Sequence, residues 1–236
     1  MAMPLGLAGW RLFTRLAAPF ARLVLNQRAA RGKEDWTRMN ERLGIAGRPR
    51  PDGRLIWLHG ASVGESLSAL PLIEKLREDA HVLVTSGTVT SAALMGQRLP
   101  PDVPHQFVPL DTPGAVTRFL DHWRPDAGLF IESDLWPNLI LTAHARGMKL
   151  ALVNARISAR SADRWRWAKR SVTALLGAFD MVLAQDEEVA GRFRSLGARN
   201  VQVVGSLKAD APPLAADQDA LAAMRQAIGG RPVLLA

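Results

Sequence analysis

Along this chain, short apolar runs alternate with longer segments in which apolar residues recur every three or four positions. The runs fall at 55–58, 81–85, 105–108, 127–131, 149–153, 179–184 and 201–204, the length of buried strands. The segments between them, 64–78, 88–98, 112–122, 136–146, 158–177 and 186–196, carry the period of helices that pack by one face. Strands alternating with helices of this length predict βαβ crossovers, hence a mostly parallel sheet with helices on both faces. Punctuation supports the register. Thr112-Pro113 opens one helix with proline in its first turn, and Gly147 and Gly197 stand where two others would close. Residues 51–210 are expected to form one α/β domain. Beyond it, "GSLKADAPPLAADQDALAAM" reads as a linker and a helix, and "GGRPVLLA" as a turn opening a new apolar strand. Residues 211–236 are thus expected to lead into a second domain of which only the start is present.

Before residue 50 the pattern changes. Residues 4–25, "PLGLAGWRLFTRLAAPFARLVL", are apolar but interrupted by Arg11, Arg15 and Arg22. At about 100° per residue these three fall within about 40° of one another, while Trp10, Phe13, Leu16, Phe20, Leu23 and Val24 take the other side. Such a stripe is costly at the centre of a bilayer. It suits a helix lying in the interface, its arginines reaching lipid phosphates; a helix packed on its own domain is the alternative. Pro19 is expected to kink or restart it. No clear small-residue cleavage site follows, so a removed signal peptide fits poorly. The following "NQRAARGKEDWTRMNERLG" adds basic residues that anionic lipid would attract.

Charge sharpens this division. The net charge is +8; residues 1–50 hold ten Arg or Lys against Glu34, Asp35 and Glu41, leaving the other 186 residues close to neutral. The basicity belongs to an arm, residues 1–50, and the expected partner is an anionic membrane surface. A nucleic-acid binder would carry its basic footprint on the folded body beside stacking aromatics, so that class is disfavoured. Cys and Tyr are absent, and the five His never fall in an H-x-x-x-H spacing. Disulfides and thiolate sites are thereby excluded, a zinc site on that pattern is not expected, and proton chemistry falls to Asp, Glu, His or Lys. No Walker motif or G-x-G-x-x-G occurs.

In open α/β sheets ligands gather at the C-terminal ends of the strands, and five such ends carry polar or glycine-containing loops. After the first strand comes "HGASVGE", with His59, Ser62, Gly64 and Glu65; after the second, "TSGTVTS", with Ser86. After the fourth comes "ESDLWPN", with Glu132, Asp134, Trp136 and Asn138. The fifth leads into "NARIS", with Asn154, Arg156 and Ser158, and the seventh into "GSLK", ending at Lys208. Each has a plain alternative. Ser62 and Glu65 have the S-x-x-E spacing of a capping box, Ser133 and Asp134 or Asn154 and Ser158 could cap helices, and Arg156 and Lys208 could be solvated. Two carboxylates on one rim beside Arg and Lys suggest a base for a hydroxyl and cations for phosphate or carboxylate.

Together "WLHGASVGE", "ESDLWPN", "NARISARS" and "GSLKAD" resemble the 3-deoxy-D-manno-octulosonic-acid (Kdo) transferases of lipopolysaccharide synthesis. They stand in the family's order, and the resemblance runs from the arm to Ala236. It implies the N-terminal half of a GT-B glycosyltransferase, a Rossmann-like parallel sheet preceded by the amphipathic helix. It also implies transfer of Kdo from CMP-Kdo to a lipid A precursor with inversion and without metal or other cofactor, at the cytoplasmic face of the cell inner membrane. By the resemblance this half binds the acceptor, while the CMP-sugar is held mostly by the absent domain. The family's general base falls on Glu65, a carboxylate at a helix N-terminus that needs a well-positioned acceptor. The first Glu of its E-x-E-L-W-P-N motif falls on Glu132; its second is Asp134 here. Ala209 stands where the family usually has Phe. Two rivals stay open: a GT-B transferase using another activated sugar, and a non-catalytic membrane-bound module that binds lipid A.

Overall fold

The structure, a computed structural model, describes residues 3–132, 134–210 and 217–233. Seven strands, β1 (Leu55–His59), β2 (His81–Ser86), β3 (His105–Phe107), β4 (Ala127–Ile131), β5 (Lys149–Ala155), β6 (Met181–Ala184) and β7 (Val201–Val203), form one sheet in the order β3-β2-β1-β4-β5-β6-β7. Every neighbouring pair is parallel. The helices are α1 (Leu5–Ala17), α2 (Ala21–Ala30), α3 (Met39–Arg42), α4 (Val63–Ser68), α5 (Leu70–Leu76) and α6 (Val89–Arg98), then α7 (Pro113–Trp123), α8 (Pro137–Ala145), α9 (Ala159–Trp167), α10 (Lys169–Leu176), α11 (Glu187–Ser195) and α12 (Gln218–Ile228). The expected doubly covered parallel sheet is therefore present, with all seven strands at their expected places. Ser133, residues 211–216 of the expected linker and residues 234–236 of the expected terminal strand lie outside the described residues.

Both faces of the sheet are buried, as parallel strands require. On one, Trp57, Phe130, Leu150 and Val182 pack against Phe119, Trp123, Ile140, Val172 and Phe193; on the other, Leu58, Val82, Val84 and Ile131 pack against Ala69, Ile73 and Met95. Gly147 (φ 77°) and Gly197 (φ 99°) adopt the left-handed conformation of helix ends. Two expected helices are each broken in two. Segment 64–78 breaks at Ala69 because Pro71, without an N–H, can sit only in the first turn of a new helix. Segment 158–177 breaks at Ala168, where the backbone leaves helical geometry (φ −108°, ψ 34°).

The arm lies against the body. Leu7, Thr14, Leu25 and Ala29 face inward and are buried. A 3-10 turn, Ala18–Phe20, joins α1 to α2 at the expected proline. Leu5, Leu12, Phe13, Leu16, Phe20, Leu23 and Val24 stay exposed, so the arm packs through a narrow seam and leaves its apolar side outward. No helix among the described residues is long and apolar enough to cross a membrane.

Several basic residues in the later part of the arm are engaged with the body or with carboxylates and not free to face outward as the sequence suggested. Glu34 accepts from Arg28 and Arg42 at 2.8 Å each, and buried Arg42 donates to Val108 O (3.1 Å) and Gly87 O (2.5 Å). Glu41 takes two bonds from Arg38 at 2.8 Å and one from Phe107 N at 2.7 Å. The physical reason is that β3 is an edge strand whose free backbone groups need partners, and Glu41 and Arg38 supply them. Arg11, Arg15, Arg22, Arg31 and Lys33 are left exposed.

Candidate active site

The strand order places β1 beside β4 at the centre of the sheet, where the chain leaves in opposite directions. This is the topological switch point, the usual ligand crevice of such sheets. The loops that follow these two strands carry Glu65 and Glu132. Glu65 sits at the third position of α4, whose N-cap is Ser62. Ser62 Oγ accepts from Glu65 N at 3.4 Å and donates to Glu65 Oε1 at 2.7 Å, and Ala61 N donates to Oε2 at 2.7 Å. The Ser62 half of the expected capping box is made, while Glu65 reaches past the N-cap amide to Ala61 N and to the Ser62 hydroxyl, and these bonds fix the carboxylate's direction. Each carboxylate oxygen has about two acceptor sites, so each keeps one for another donor. Gly64, beside it in the same first turn, is exposed, and a Cβ there would meet nothing within 4 Å.

Glu132 directly follows β4 in the left-handed region, φ 65°, and Asn154 is next to last in the neighbouring β5 at φ 53°. For a side-chain-bearing residue this costs on the order of 1 kcal/mol, and such strain gathers at functional sites. Burial pushes the Glu132 carboxyl above its ordinary range, and the negative charge of Glu65 adds to this; Arg156 and Lys208 oppose it. These four groups share one electrostatic environment on the rim. Asn154 is buried; its Oδ1 accepts from Gln185 Nε2 (2.9 Å) and Leu207 N (3.2 Å), which pins the Lys208 loop to the end of β5. Its Nδ2 is buried without a partner among the described residues. Ser158 caps α9 by accepting from Ser161 N at 3.2 Å, the plain reading of that residue.

A second polar group lies beneath the rim. His59 is fully buried, with Nδ1 2.9 Å from Thr85 Oγ1, which also accepts from Trp57 Nε1 at 2.9 Å. Its Nε2 stands 3.5 Å from Asp134 Oδ2, longer than an ordinary hydrogen bond, so the contact is electrostatic. Burial raises the Asp134 carboxyl, but His59 and then the Trp136 indole N–H, which donates to Oδ2 at 3.2 Å, outweigh it and hold it below its usual value. Asp134 does not cap α8. Asp111, which the sequence reading passed over, does so from 27 residues away, accepting from Asn138 N at 3.1 Å on Oδ2 and, with Oδ1, from Leu139 N at 2.8 Å.

Two further candidates turn away from the rim. Ser86 is buried with its hydroxyl 2.9 Å from His105 Nε2. Buried Asn138 spends its amide on Asp111 O (2.5 Å) and Thr14 Oγ1 (3.0 Å), which ties α1 to the start of α8. Trp136 is partly exposed at the rim. Gly87, also unremarked in the sequence, allows the first two loops to touch: its N–H donates to Ala61 O at 3.2 Å, and a Cβ would lie 3.0 Å from that oxygen. Thr85 and Gln185 show no local sequence signal. Among the described residues, no three His, Asp or Glu converge as a metal site would need. A cavity of about 380 Å³ lined by Arg38, Arg48, His105 and Gln106 opens where β3 begins, away from this chemistry; the rim's residues, not that cavity, carry the functional argument.

The family profile described as 3-deoxy-D-manno-octulosonic-acid transferase (kdotransferase) matches residues 37–211. A probable 3-deoxy-D-manno-octulosonic acid transferase, mitochondrial, of Arabidopsis thaliana is 41% identical over 169 residues, 69% of this chain and 38% of that protein. The 3-deoxy-D-manno-octulosonic acid transferase of Rickettsia bellii is 37% identical over 224 residues, 93% of this chain and 53% of that protein. The chain thus spans 38% and 53% of the length of these two relatives. Among solved structures, the S. aureus MnaA-UDP co-structure superposes with a TM-score of 0.50 at 16% identity, over 67% of this chain and 47% of that one, a likeness of fold. By the profile match across the sheet and both glutamate loops, the chain belongs to the 3-deoxy-D-manno-octulosonic-acid transferase family.

Proposed function

We propose that this chain supplies the acceptor-side domain of an inverting transferase that moves Kdo from CMP-Kdo to a lipid A precursor in lipopolysaccharide synthesis. The observation that carries the reading is the pair Glu65 and Glu132 at the switch-point rim, in one electrostatic environment with Arg156 and Lys208. Glu65 acts as general base. An acceptor hydroxyl donates its proton to the acceptor site left on a Glu65 oxygen while its own oxygen bonds the anomeric carbon of Kdo. The bond from that carbon to the CMP oxygen breaks, and CMP leaves with the electron pair. Ser62 and the Ala61 N–H aim the carboxylate, which matters because a proton-transfer geometry is sensitive to sub-ångström placement. Arg156 and Lys208 suit the phosphates of acceptor or donor. Glu132 sits on the same rim, where burial and the neighbouring Glu65 raise its protonation threshold.

The outward apolar side of α1 and α2 fits a domain resting on the cytoplasmic face of the inner membrane, where a lipid acceptor would be met. Since the donor side is expected from a second domain, the chain alone binds membrane and acceptor but does not transfer.

The test is Glu65→Gln in a complete transferase carrying this chain as its first domain, assayed with CMP-Kdo and lipid A precursor in vesicles. Loss of kcat by about a hundredfold or more with acceptor binding kept supports the base. The bonds that Glu65 makes to Ser62 Oγ and Ala61 N favour a second reading, in which Glu65 is structural and the module only binds lipid A. An unchanged kcat with a lowered Tm would select it. Competition between CMP-Kdo and UDP-sugars in the same assay separates the Kdo reading from a transferase of another sugar.

A further inference from the structure

The nearly neutral body hides a local cluster of charge. Between Arg156 and Arg170 stand Arg156, Arg160, Arg164, Arg166, Lys169 and Arg170 against the single carboxylate of Asp163, and all six cations are exposed. In their midst Trp167 is 95% exposed, at the junction where α9 stops and α10 begins. A large aromatic side chain gains nothing in water from that position, and Trp favours the boundary between a bilayer and water.

The junction adjoins the arm. Gly6 of α1 lies against Ser171 of α10 so closely that a Cβ would stand 2.7 Å from Ser171 Oγ. Ser171 follows Trp167 by four residues, just past the break at Ala168, and next to Gly6 is Leu5, 91% exposed. The two most exposed large apolar side chains of the described residues therefore flank a single helix contact. We propose that the α9–α10 junction is a second membrane-contact element, with Trp167 in the bilayer interface and Arg160, Arg164, Lys169 and Arg170 on anionic lipid headgroups. The inference rests on the reading of the arm as membrane-bound and adds to it. One amphipathic helix pair leaves the domain free to roll about its own axis; a contact to one side stops the roll. Because α9 starts three residues after Arg156 at the catalytic rim, stopping the roll also sets how that rim faces the lipid. Charge complementarity selects an anionic bilayer as the occupant.

The chain has no cysteine, so single cysteines can carry an environment-sensitive fluorophore without background. Trp167→Cys, Phe13→Cys on the arm, and Lys75→Cys on α5 as an exposed control are labelled and mixed with phosphatidylcholine vesicles with or without phosphatidylglycerol. The expected result is a blue shift at positions 167 and 13 with phosphatidylglycerol present, and none at position 75. A shift at 13 without one at 167 overturns this proposal and leaves the arm reading standing. No shift at either removes both. A shift at 75 as well marks non-specific adsorption and overturns the proposal, as does a shift at 167 that follows protein concentration without lipid, which would mark self-association. The double change Arg160→Glu and Arg164→Glu should lower partitioning onto anionic vesicles by tenfold or more, on the order of fivefold per removed charge. An unchanged partition would overturn the role of these arginines.

Discussion

Glu65 shows why a carboxylate at a helix start cannot be sorted into cap or base by spacing alone. The S-x-x-E pattern correctly announces Ser62 as the N-cap, though Glu65 reaches Ala61 N rather than the N-cap amide, and the same bonds orient the group that the proposed transfer needs. The environment of Glu132 could not be read in this way. Its left-handed backbone and its nearness to Glu65 depend on β1 and β4 being neighbours, which no local pattern states. A pH test follows from that environment. Because burial and Glu65 raise the folded-state protonation threshold of Glu132, the folded protein holds this proton more tightly than the unfolded chain. The favourable contribution is complete below the ordinary Glu range and is lost as pH rises through the raised value. Glu132→Gln should therefore be more stable than the native chain at neutral pH, by less than about 1 kcal/mol given solvent screening, with the difference vanishing at low pH. Urea midpoints across pH would show it; a difference that grows in acid would contradict it. Gly64 offers a second test, since a Cβ there meets only open space. Gly64→Ala should fold normally and gain up to about 1 kcal/mol of helix stability, while acceptor KM rises if the acceptor approaches this turn. A lower Tm would point instead to a packing need that the structure does not contain.

At the scale of elements, the surprise is α1. Its amphipathic character was legible, but the way it is fastened was not. Trp10 Nε1 donates to Asp111 Oδ2 at 2.7 Å, Asn138 Nδ2 donates to Thr14 Oγ1, and the same Asp111 caps α8. One buried carboxylate thus joins three elements that are far apart in sequence. A sequence reading sees Asp111 only as a residue ahead of Thr112-Pro113, and sees Trp10 only as part of the apolar side. The joint also means that the element read as meeting the membrane is bonded to the motif that carries Glu132. Asp111→Ala would leave the Trp10 indole and two α8 backbone amides short of an acceptor, while the Asn138 side chain keeps the carbonyl of residue 111 and Thr14 Oγ1. Unsatisfied buried donors cost about 1–3 kcal/mol each before relaxation. The expected outcome is a loss of about 3 kcal/mol or more, a Tm lower by roughly 6–12 °C, and faster proteolysis within residues 5–30. Unchanged cleavage of the arm would show that the apolar seam alone holds it.

At the scale of the molecule, the seven strands and the helical layers were readable because parallel strands buried on both faces must be continuous apolar runs. Their order was not, since it depends on which crossovers run to either side of β1 rather than on any residue pattern, and it is this order that makes the β1 and β4 loops one site. The same order leaves β3 at the edge, closed by residues that precede the sheet in the chain, and this gives the whole fold a pH sensitivity. Arg38 Nη2 approaches His105 Nδ1 at 3.0 Å. A guanidinium can only donate, so Nδ1 must accept and Nε2–H is left to donate to Ser86 Oγ. Protonating Nδ1 would set two donors against each other. Burial first, then the charges of Arg38, Arg42 and Arg48, lower the His105 pKa to about 3. In the unfolded chain the ring takes its proton near the ordinary value of about 6.5. Hence the stabilising contribution of neutral His105 is present above that value and declines as pH falls from it toward 3, because the unfolded state alone gains the proton. The limiting slope is about 1.4 kcal/mol per pH unit, so from pH 7 to pH 5 the loss from this group is on the order of 2 kcal/mol. His105→Gln, lower in absolute stability for its altered bonds, should show a flatter stability profile over that interval. Urea unfolding of both proteins at the two pH values measures the difference of slopes, and equal slopes would mean that the β3 edge opens to admit the proton without unfolding the domain.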